Sequence, residues 1–167
     1  MGKEAKTNAM RILDKNKIEY ETITYECKEF IDGVHAAEVS GIPAQISYKT
    51  LVMQGKSMSF YVFVVPVLAS VDLKKAAKAV GEKSMTMIPT KDITNVTGYV
   101  RGGCSPIGMK KQFPTVIDAS AGALEQICIS GGRIGLSLRL SPKDLQQVTS
   151  AEYADIVSLT LSPAALP

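Results

Sequence analysis

The sequence predicts an α+β fold in which helices and strands are intermixed within one domain spanning residues 1–167. Three observations support this prediction. The composition, 46% hydrophobic and 21% charged, is that of a globular chain long enough to bury one hydrophobic core. Strand-like and helix-like patterns alternate irregularly, without the repeating βαβ order of a parallel α/β fold. The chain also shows no linker, internal repeat or low-complexity tract.

The N-terminal part carries clear helix and strand signals. Apolar residues at helical spacing predict a first helix over residues 7–17, capped by Thr7 or Asn8. Alternation of β-forming residues predicts a strand over residues 20–25, and a short helix follows at residues 34–40.

The middle of the chain predicts a hairpin and a well-capped helix. Strand candidates at residues 48–53 and 59–65 flank Gly55, an arrangement typical of a β-hairpin. Asp72 is placed to cap a helix that Gly81 ends. A short strand at residues 85–88 and a helical turn at residues 90–95 come next.

The C-terminal part begins with an irregular segment, residues 98–113, that contains four glycines and one proline. Ser141 and Pro142 predict the start of a helix that runs to residue 148. The other predicted elements are strands at residues 115–118, 128–130 and 134–140, and a last amphipathic helix at residues 151–159.

The cysteine and histidine content, the hydropathy pattern and the net charge argue against several classes of protein. The sequence has three cysteines, Cys27, Cys104 and Cys128. None of them belongs to a C-x-x-C pair, and their odd number argues against a disulfide framework. With His35 as the single histidine, we expect no metal site and no cofactor. We recognise no signal peptide or membrane span, so a soluble cytoplasmic protein is expected. The net charge of +3 permits a polyanionic partner without requiring one.

Two features could carry chemistry. Lys49 begins an otherwise apolar strand, where it either snorkels from an edge or faces a pocket and binds a phosphate or carbonyl. The glycine-rich loop GGCSPIG, residues 102–108, is either an ordinary surface turn or a nest of backbone amides for an anion. A catalytic pairing of Cys104 with His35 is a third alternative. The residues alone therefore predict a ligand pocket with a lysine and a glycine-rich loop.

Lys49 and the glycine-rich loop, in this order and at this separation, resemble the YbaK family of aminoacyl-tRNA deacylases, and its Cys-tRNA(Pro) deacylase branch in particular. The resemblance covers nearly the whole chain. Its motifs are YKTL at residues 48–51, DLKKAAKAVG from residue 72, TGYVRGGCSPIGMKK from residue 97, PTVID at residues 114–118 and SGGRIGL from residue 130. The resemblance implies a mixed, barrel-like β-sheet flanked by helices, the fold also of the editing insertion of bacterial prolyl-tRNA synthetases.

The resemblance also implies the site residues. Lys49 corresponds to the family's essential lysine, placed to bind the aminoacyl-adenosine end of tRNA. Cys104 lies in the family's G-x-x-x-P loop but is expected to pack and not to act as a nucleophile. Ser137 stands where relatives often carry Asp or Gln, which predicts a shorter or water-mediated contact. The implied substrate-binding residues are Tyr20, Thr50, Gly102, Gly103, Cys104, Ser105, Pro106, Ser130 and Ser137.

The function implied by the resemblance is trans-editing: hydrolysis of a wrongly attached amino acid from tRNA, above all cysteine from Cys-tRNA(Pro). The expected partners are the acceptor end of the mischarged tRNA and prolyl-tRNA synthetase. Two alternatives stay open at this point. The domain could deacylate tRNA carrying another small amino acid such as alanine, or it could bind aminoacyl-tRNA or a synthetase without turnover.

Overall fold

Helices and strands alternate along the chain in the computed structural model, which describes residues 5–26 and 33–161. Cys27 and Asp32 therefore lie outside the described residues. The helices are α1 (Asn8–Lys15), α2 (Gly33–Ser40), α3 (Leu73–Val80), α4 (Ile93–Thr97) and α5 (Pro142–Thr149). Single 3-10 turns occupy Ala44–Ile46, Thr90–Asp92 and Ala119–Ala123. In the described part of the chain, no helix is long and apolar enough to cross a bilayer.

The predicted helix caps are confirmed. Thr7 accepts a hydrogen bond from the Met10 backbone N–H at the start of α1. Asp72 accepts from two backbone N–H groups in the first turn of α3, which Gly81 ends in the left-handed conformation. Ser141 caps α5, and Pro142 occupies its first turn, where a missing N–H costs nothing.

The strands form three sheets. The strands are β1 (Glu21–Thr24), β2 (Tyr48–Gly55), β3 (Phe60–Pro66), β4 (Ala69–Val71), β5 (Met85–Met87), β6 (Thr115–Asp118), β7 (Ile127–Ser130), β8 (Leu136–Leu140), β9 (Glu152–Ala154) and β10 (Val157–Leu161). A five-stranded mixed sheet has the order β5-β2-β3-β6-β9, and a three-stranded antiparallel sheet has the order β1-β8-β7. The remaining two strands, β4 and β10, pair with each other.

The hydrophobic core lies on both faces of the five-stranded sheet. Val64 of β3 and Ile117 of β6 face a cluster that includes Leu13 of α1, strands β7 and β8, and α5. The intervening residues, Phe63 and Val116, face a second cluster that includes α3. Because successive side chains of a strand point to opposite faces, the central strands are apolar at nearly every position.

One predicted element is wrong, and one strand was not predicted. The segment at residues 151–159 is not a helix but contains β9 and the start of β10. Its amphipathic pattern is overridden by tertiary pairing, because β9 pairs in parallel with β6 and the buried Asp118 carboxylate accepts from the Ile156 N–H at 3.1 Å. The expected mixed, barrel-like arrangement is confirmed, although the described strands form three separate sheets and do not close into a true barrel. Strand β4, only three residues long, was not predicted.

One edge of β2 stays partly open, and this opening locates the site. Strand β3 pairs with β2 along its length, but on the opposite edge β5 pairs only from Met53 onward. At the other end Ser47 forms a single parallel bridge with Cys128 of β7. Between these two ends, residues 48–51 have no strand partner on this edge among the described residues, a stretch of about 13 Å at the rise of a strand. The Val52 carbonyl accepts a hydrogen bond from the Ile88 N–H at 3.3 Å.

Candidate active site

A cavity of about 140 Å³ lies at the Ser47 end of this open edge, between β2 and β7. Small residues of α2, Ala36, Ala37 and Ser40, line it together with the glycine-rich loop. Six predicted site residues line the cavity: Lys49, Thr50, Gly102, Cys104, Ser130 and Ser137. Tyr48 of the YKTL motif, which was not predicted as a site residue, lines it as well. Residues distant in sequence are therefore brought together between the five-stranded and the three-stranded sheet.

Lys49 is placed by the register of β2, and its partly buried side chain lines the cavity. Of the two alternatives for this lysine, the structure favours the pocket position, and this pocket lies at the open edge of the strand. Its neighbour Tyr48 is buried and shares a 2.7 Å hydrogen bond with the Ser120 hydroxyl. Burial raises the pKa of the Tyr48 phenol, so this group stays protonated at neutral pH.

Two buried hydroxyls face the cavity without a hydrogen-bond partner among the described residues, those of Thr50 and Ser130. Leaving a buried polar atom unsatisfied costs about 1–3 kcal/mol, so most buried polar atoms are paired. Two such atoms on the wall of one cavity indicate a site that a polar ligand completes.

The glycine-rich loop is shaped as much by packing as by access to a ligand. Gly102 lines the cavity with a φ of 86°, a left-handed conformation that favours glycine. Gly103 does not line it. A β-carbon there would lie 2.7 Å from the Arg133 α-carbon, so glycine permits the loop to pack against the segment after β7. Ser105 and Pro106 are buried away from the cavity, and the Ser105 hydroxyl accepts from the Ile107 N–H.

The start of α1 anchors both loops that contribute to the cavity. The Thr7 hydroxyl donates to the carbonyl of Gly131, next to Ser130, at 2.6 Å. The Asn8 amide donates to the carbonyl of Gly108, at the end of the glycine-rich loop, at 2.7 Å. The positions of these loops therefore depend on a helix that does not itself line the cavity.

The two described cysteines line the cavity as neutral thiols. Burial raises the pKa of Cys104 to about 11, against a smaller opposing effect of its hydrogen bond with Thr97. Burial likewise raises the pKa of Cys128 to about 11. Because the thiolate is the nucleophile, such thiols are poor nucleophiles at neutral pH. This supports a packing role for Cys104.

His35 and Tyr20 lie elsewhere. His35 is exposed on α2 and is absent from the described lining of the cavity, so the pairing with Cys104 gains no support. The Tyr20 hydroxyl donates to Asp14 at 3.0 Å on the outer side of α1. Tyr25, at the other end of the same predicted strand, lines the cavity instead.

Sequence reasoning missed several lining residues. Tyr25, the small residues of α2, Ile42, Ser47 and Cys128 were not predicted at the site. A usable signal was the run of small residues in α2, which lets that helix approach closely. No local pattern marked Cys128, which reaches the cavity through a single bridge between sheets. Within the described ranges, no group of three His, Cys, Asp or Glu side chains is arranged as metal ligands would be.

A small cavity at the open edge of a mixed sheet, lined by a lysine and by two hydroxyls without a partner among the described residues, has the features of a site for a small polar ligand. A family model described as "Aminoacyl-tRNA editing domain" matches residues 32–148, and the chain belongs to this family. The predicted family resemblance is thereby confirmed.

Individual relatives agree with this family. A protein of Enterococcus faecalis named as a Cys-tRNA(Pro)/Cys-tRNA(Cys) deacylase, EbsC, is 39% identical over 156 residues, which cover 93% of this chain and 95% of that protein. A solved structure described as a trans-editing enzyme for prolyl-tRNA synthetase superposes with a TM-score of 0.78 at 23% identity, covering 93% of this chain and 99% of that one. A hypothetical protein superposes with a TM-score of 0.82 at 20% identity, covering 90% and 99%. The two structures confirm the predicted mixed α+β fold.

Proposed function

We propose that this chain is a trans-editing deacylase that cleaves the ester between tRNA and a wrongly attached amino acid, with Cys-tRNA(Pro) as its substrate. The observation that carries the proposal is the pair of unsatisfied hydroxyls, Thr50 and Ser130, on the cavity that Lys49 lines. An aminoacyl ester offers carbonyl and amino groups that such hydroxyls can bind. Membership of the editing family and the name of the 39% identical relative support the same substrate class.

The size of the cavity supports a small amino acid. At about 140 Å³ it is close to the roughly 150 Å³ cavity that holds benzene in an engineered protein. A cysteine or alanine side chain with its carbonyl fits such a space, whereas a nucleoside does not. The wall combines apolar residues such as Ile129 and Ile134 with hydroxyls. It can therefore bind the side chain and the ester together.

Cleavage of the ester requires correct positioning of the substrate more than chemical activation of a nucleophile. An aminoacyl ester is already reactive, so its cleavage does not require a strongly activated nucleophile from the protein. We expect the Lys49 ammonium to polarise the ester region and the backbone around Gly102 to position the carbonyl. This division of roles suits a site whose thiols are protonated at neutral pH.

Cysteine can supply its own nucleophile. The substrate sulfur attacks its own carbonyl carbon, a sulfur–carbon bond forms, the bond from that carbon to the ribose oxygen breaks, and the thiol proton passes to the released ribose hydroxyl. Well-oriented intramolecular attack reaches effective molarities of about 10⁵ M or more. Attack by water is the other route, and it would apply to alanine. The two routes predict different substrate ranges. The thiol route acts only on cysteine, whereas water attack would release several small amino acids, because a small pocket discriminates weakly between small side chains.

The proposal includes the partners and setting of the reaction. A single editing domain over residues 1–167 would grip chiefly the acceptor end of the mischarged tRNA in the cytoplasm. Prolyl-tRNA synthetase is then the partner that would restrict the reaction to the appropriate tRNA.

The test is release of labelled cysteine from Cys-tRNA(Pro), with Ala-tRNA(Pro) and Ser-tRNA(Pro) measured in parallel. Lys49→Ala should abolish release, and Lys56→Ala, an exposed lysine in the β2–β3 turn, should retain it. Release of cysteine alone supports thiol-assisted cleavage, while release of all three amino acids supports water attack. A folded chain that binds tRNA or the synthetase but releases none of the three would establish a binding module instead.

A further inference from the structure

Tyr99 is a buried side chain that contacts the glycine-rich loop without lining the candidate active site. It lies three residues before the loop begins. Its hydroxyl donates a hydrogen bond to the carbonyl of Ile107, near the end of the loop, at 2.6 Å. A buried tyrosine usually has a partner for its hydroxyl, and here that partner belongs to the loop itself. The side chain therefore links the start of this segment to its end.

Thr97 closes the same segment at its base. Its hydroxyl accepts a hydrogen bond from the Tyr99 N–H at 3.0 Å and interacts with the thiol of Cys104, which lines the cavity. The Lys110 N–H donates to the Thr97 carbonyl at 2.9 Å. Thr97 is buried, and hydrogen bonds in a low-dielectric interior are stronger than those exposed to water. The chain between Thr97 and Lys110 is thus a closed loop, which the Tyr99 hydroxyl bond crosses.

Two glycines allow both loops of the candidate active site to contact the Tyr99 side chain. Gly108 ends the glycine-rich loop, and Gly132 lies two residues after Ser130. A β-carbon on Gly108 would lie 2.8 Å from the Tyr99 hydroxyl oxygen, and one on Gly132 would lie 3.1 Å from the ring. Both glycines have left-handed φ angles, 82° and 108°. The Tyr99 side chain therefore lies against both loops.

The two loops are held together at two points, and Tyr99 provides the second. At the first point Gly103 packs directly on the Arg133 backbone. A single point of contact leaves two segments able to rotate about it. The Tyr99 side chain, in contact with both Gly108 and Gly132, opposes such a rotation. Together with the hydrogen bonds from α1, it fixes the orientation of the glycine-rich loop relative to the segment after β7.

On the basis of the function proposed above, we propose that Tyr99 is a positioning residue for deacylation. Its ring and hydroxyl hold the glycine-rich loop so that the backbone at Gly102 is correctly placed, relative to Ser130, for the ester carbonyl. A displacement of about 1 Å in a positioning group can lower a rate about 100-fold. The substrate can still enter a cavity whose loop is less well held, so Tyr99 acts on kcat more than on KM.

Tyr99→Phe tests this role, because it removes the hydroxyl and keeps the ring. We expect kcat for cysteine release from Cys-tRNA(Pro) to fall about five- to tenfold, the worth of one hydrogen bond, with little change in KM. The matched control is Tyr61→Phe, which removes a hydroxyl of β3 that donates to Glu82 at 2.6 Å and should retain kcat. Substitution of Tyr99 by 4-aminophenylalanine, whose amino group is also a donor, should recover part of the lost rate and tests the role if Tyr99→Phe does not fold.

The pH dependence of kcat distinguishes positioning from proton transfer. Burial raises the pKa of Tyr99 to about 12, so the phenol stays protonated throughout a neutral assay range. We therefore expect the ratio of the wild-type kcat to the Tyr99→Phe kcat to be constant across that range. A ratio that changes with pH would show that the phenol exchanges a proton with the substrate, and would overturn the positioning role.

The backbone amide signals of ¹⁵N-labelled protein report on the loop without any turnover. We expect Tyr99→Phe to shift the ¹H–¹⁵N signals of Gly102 and Cys104, and Tyr61→Phe to leave both unmoved. Unmoved signals in Tyr99→Phe would overturn the proposal, because the loop would then keep its position without the hydroxyl.

The outcomes separate this proposal from the proposed function. An active wild type with an equally active Tyr99→Phe variant would overturn the positioning role and leave the deacylase function in place. An effect on KM alone would also overturn it. Release of no amino acid by the wild type would overturn the deacylase function, and with it any role of Tyr99 in catalysis.

Discussion

Gly103 lies so close to Arg133 that a β-carbon on the glycine would be 2.7 Å from the Arg133 α-carbon and 2.9 Å from the Ile134 nitrogen. The obstructing atoms belong to the backbone, which cannot rotate away as a side chain can. This contact joins the glycine-rich loop to the segment that follows β7. Both segments contribute to the wall of the candidate active site, so the contact positions Gly102 relative to Ser130.

Gly103→Ala should therefore lower the free energy of unfolding by about 1–3 kcal/mol, the usual cost of overpacking, and should reduce deacylation. Gly122→Ala is the matched control, because its β-carbon would meet nothing within 4 Å and its φ is not left-handed. Urea denaturation of both variants, followed by cysteine release under native conditions, measures the two effects. Equal stability of the two variants would show that the loops can separate without cost.

Removing the unsatisfied hydroxyls should separate stability from activity. In the unliganded protein, Thr50→Val and Ser130→Ala remove buried polar atoms that have no partner in the described structure. We expect the free energy of unfolding to stay the same or to rise by about 1 kcal/mol, while kcat/KM falls five- to tenfold, roughly the worth of one hydrogen bond.

Thr115→Val provides the contrast for these variants. Its hydroxyl is buried in β6 and donates to the Phe113 carbonyl at 3.0 Å. This substitution should lower the free energy of unfolding by about 1 kcal/mol and leave the kinetics of the folded enzyme unchanged. If Thr50→Val destabilises as much as Thr115→Val, its hydroxyl serves the fold and not a ligand.

Thr7→Ala should impair the site from a distance. The Thr7 hydroxyl both caps α1 and donates to Gly131, so its loss should cost about 2 kcal/mol, a cap and a buried hydrogen bond together. Ser141→Ala removes a helix cap alone and should cost about 1 kcal/mol. With both variants assayed well below their unfolding transitions, only Thr7→Ala should lower kcat/KM. Equal activity would exclude a positioning role for Thr7.

Cys104 should be dispensable and slow to alkylate. Cys104→Ala should retain deacylation, because its thiol pKa of about 11 leaves little thiolate at neutral pH. In a chain with Cys27 and Cys128 replaced by alanine, iodoacetamide labelling of Cys104 should accelerate with rising pH up to about pH 11. A rate that levels off near pH 7, or loss of deacylation in Cys104→Ala, would restore the cysteine as a candidate nucleophile.

The locally encoded parts of this protein can be predicted from the amino-acid sequence. Thr7, Asp72 and Ser141 begin helices because their side chains satisfy backbone N–H groups within the same few residues. The β2–β3 hairpin likewise follows from alternation and a turn close in sequence. The motifs around Lys49 and Gly102 indicate the family without reference to the fold, since their order along the chain is itself sequence information.

Other features depend on long-range pairing, which no local pattern in the sequence predicts. Residues 151–159 have a helical pattern, but pairing with β6 and the bond from Ile156 to Asp118 make them strands. The cavity that Lys49 lines lies where β5 and β7 leave a stretch of β2 unpaired, and neither strand by itself predicts this gap. Local propensities act over a few residues, whereas the spacing between sheets depends on contacts across the whole chain. For that reason the sequence did not predict Cys128 and Tyr25 as site residues.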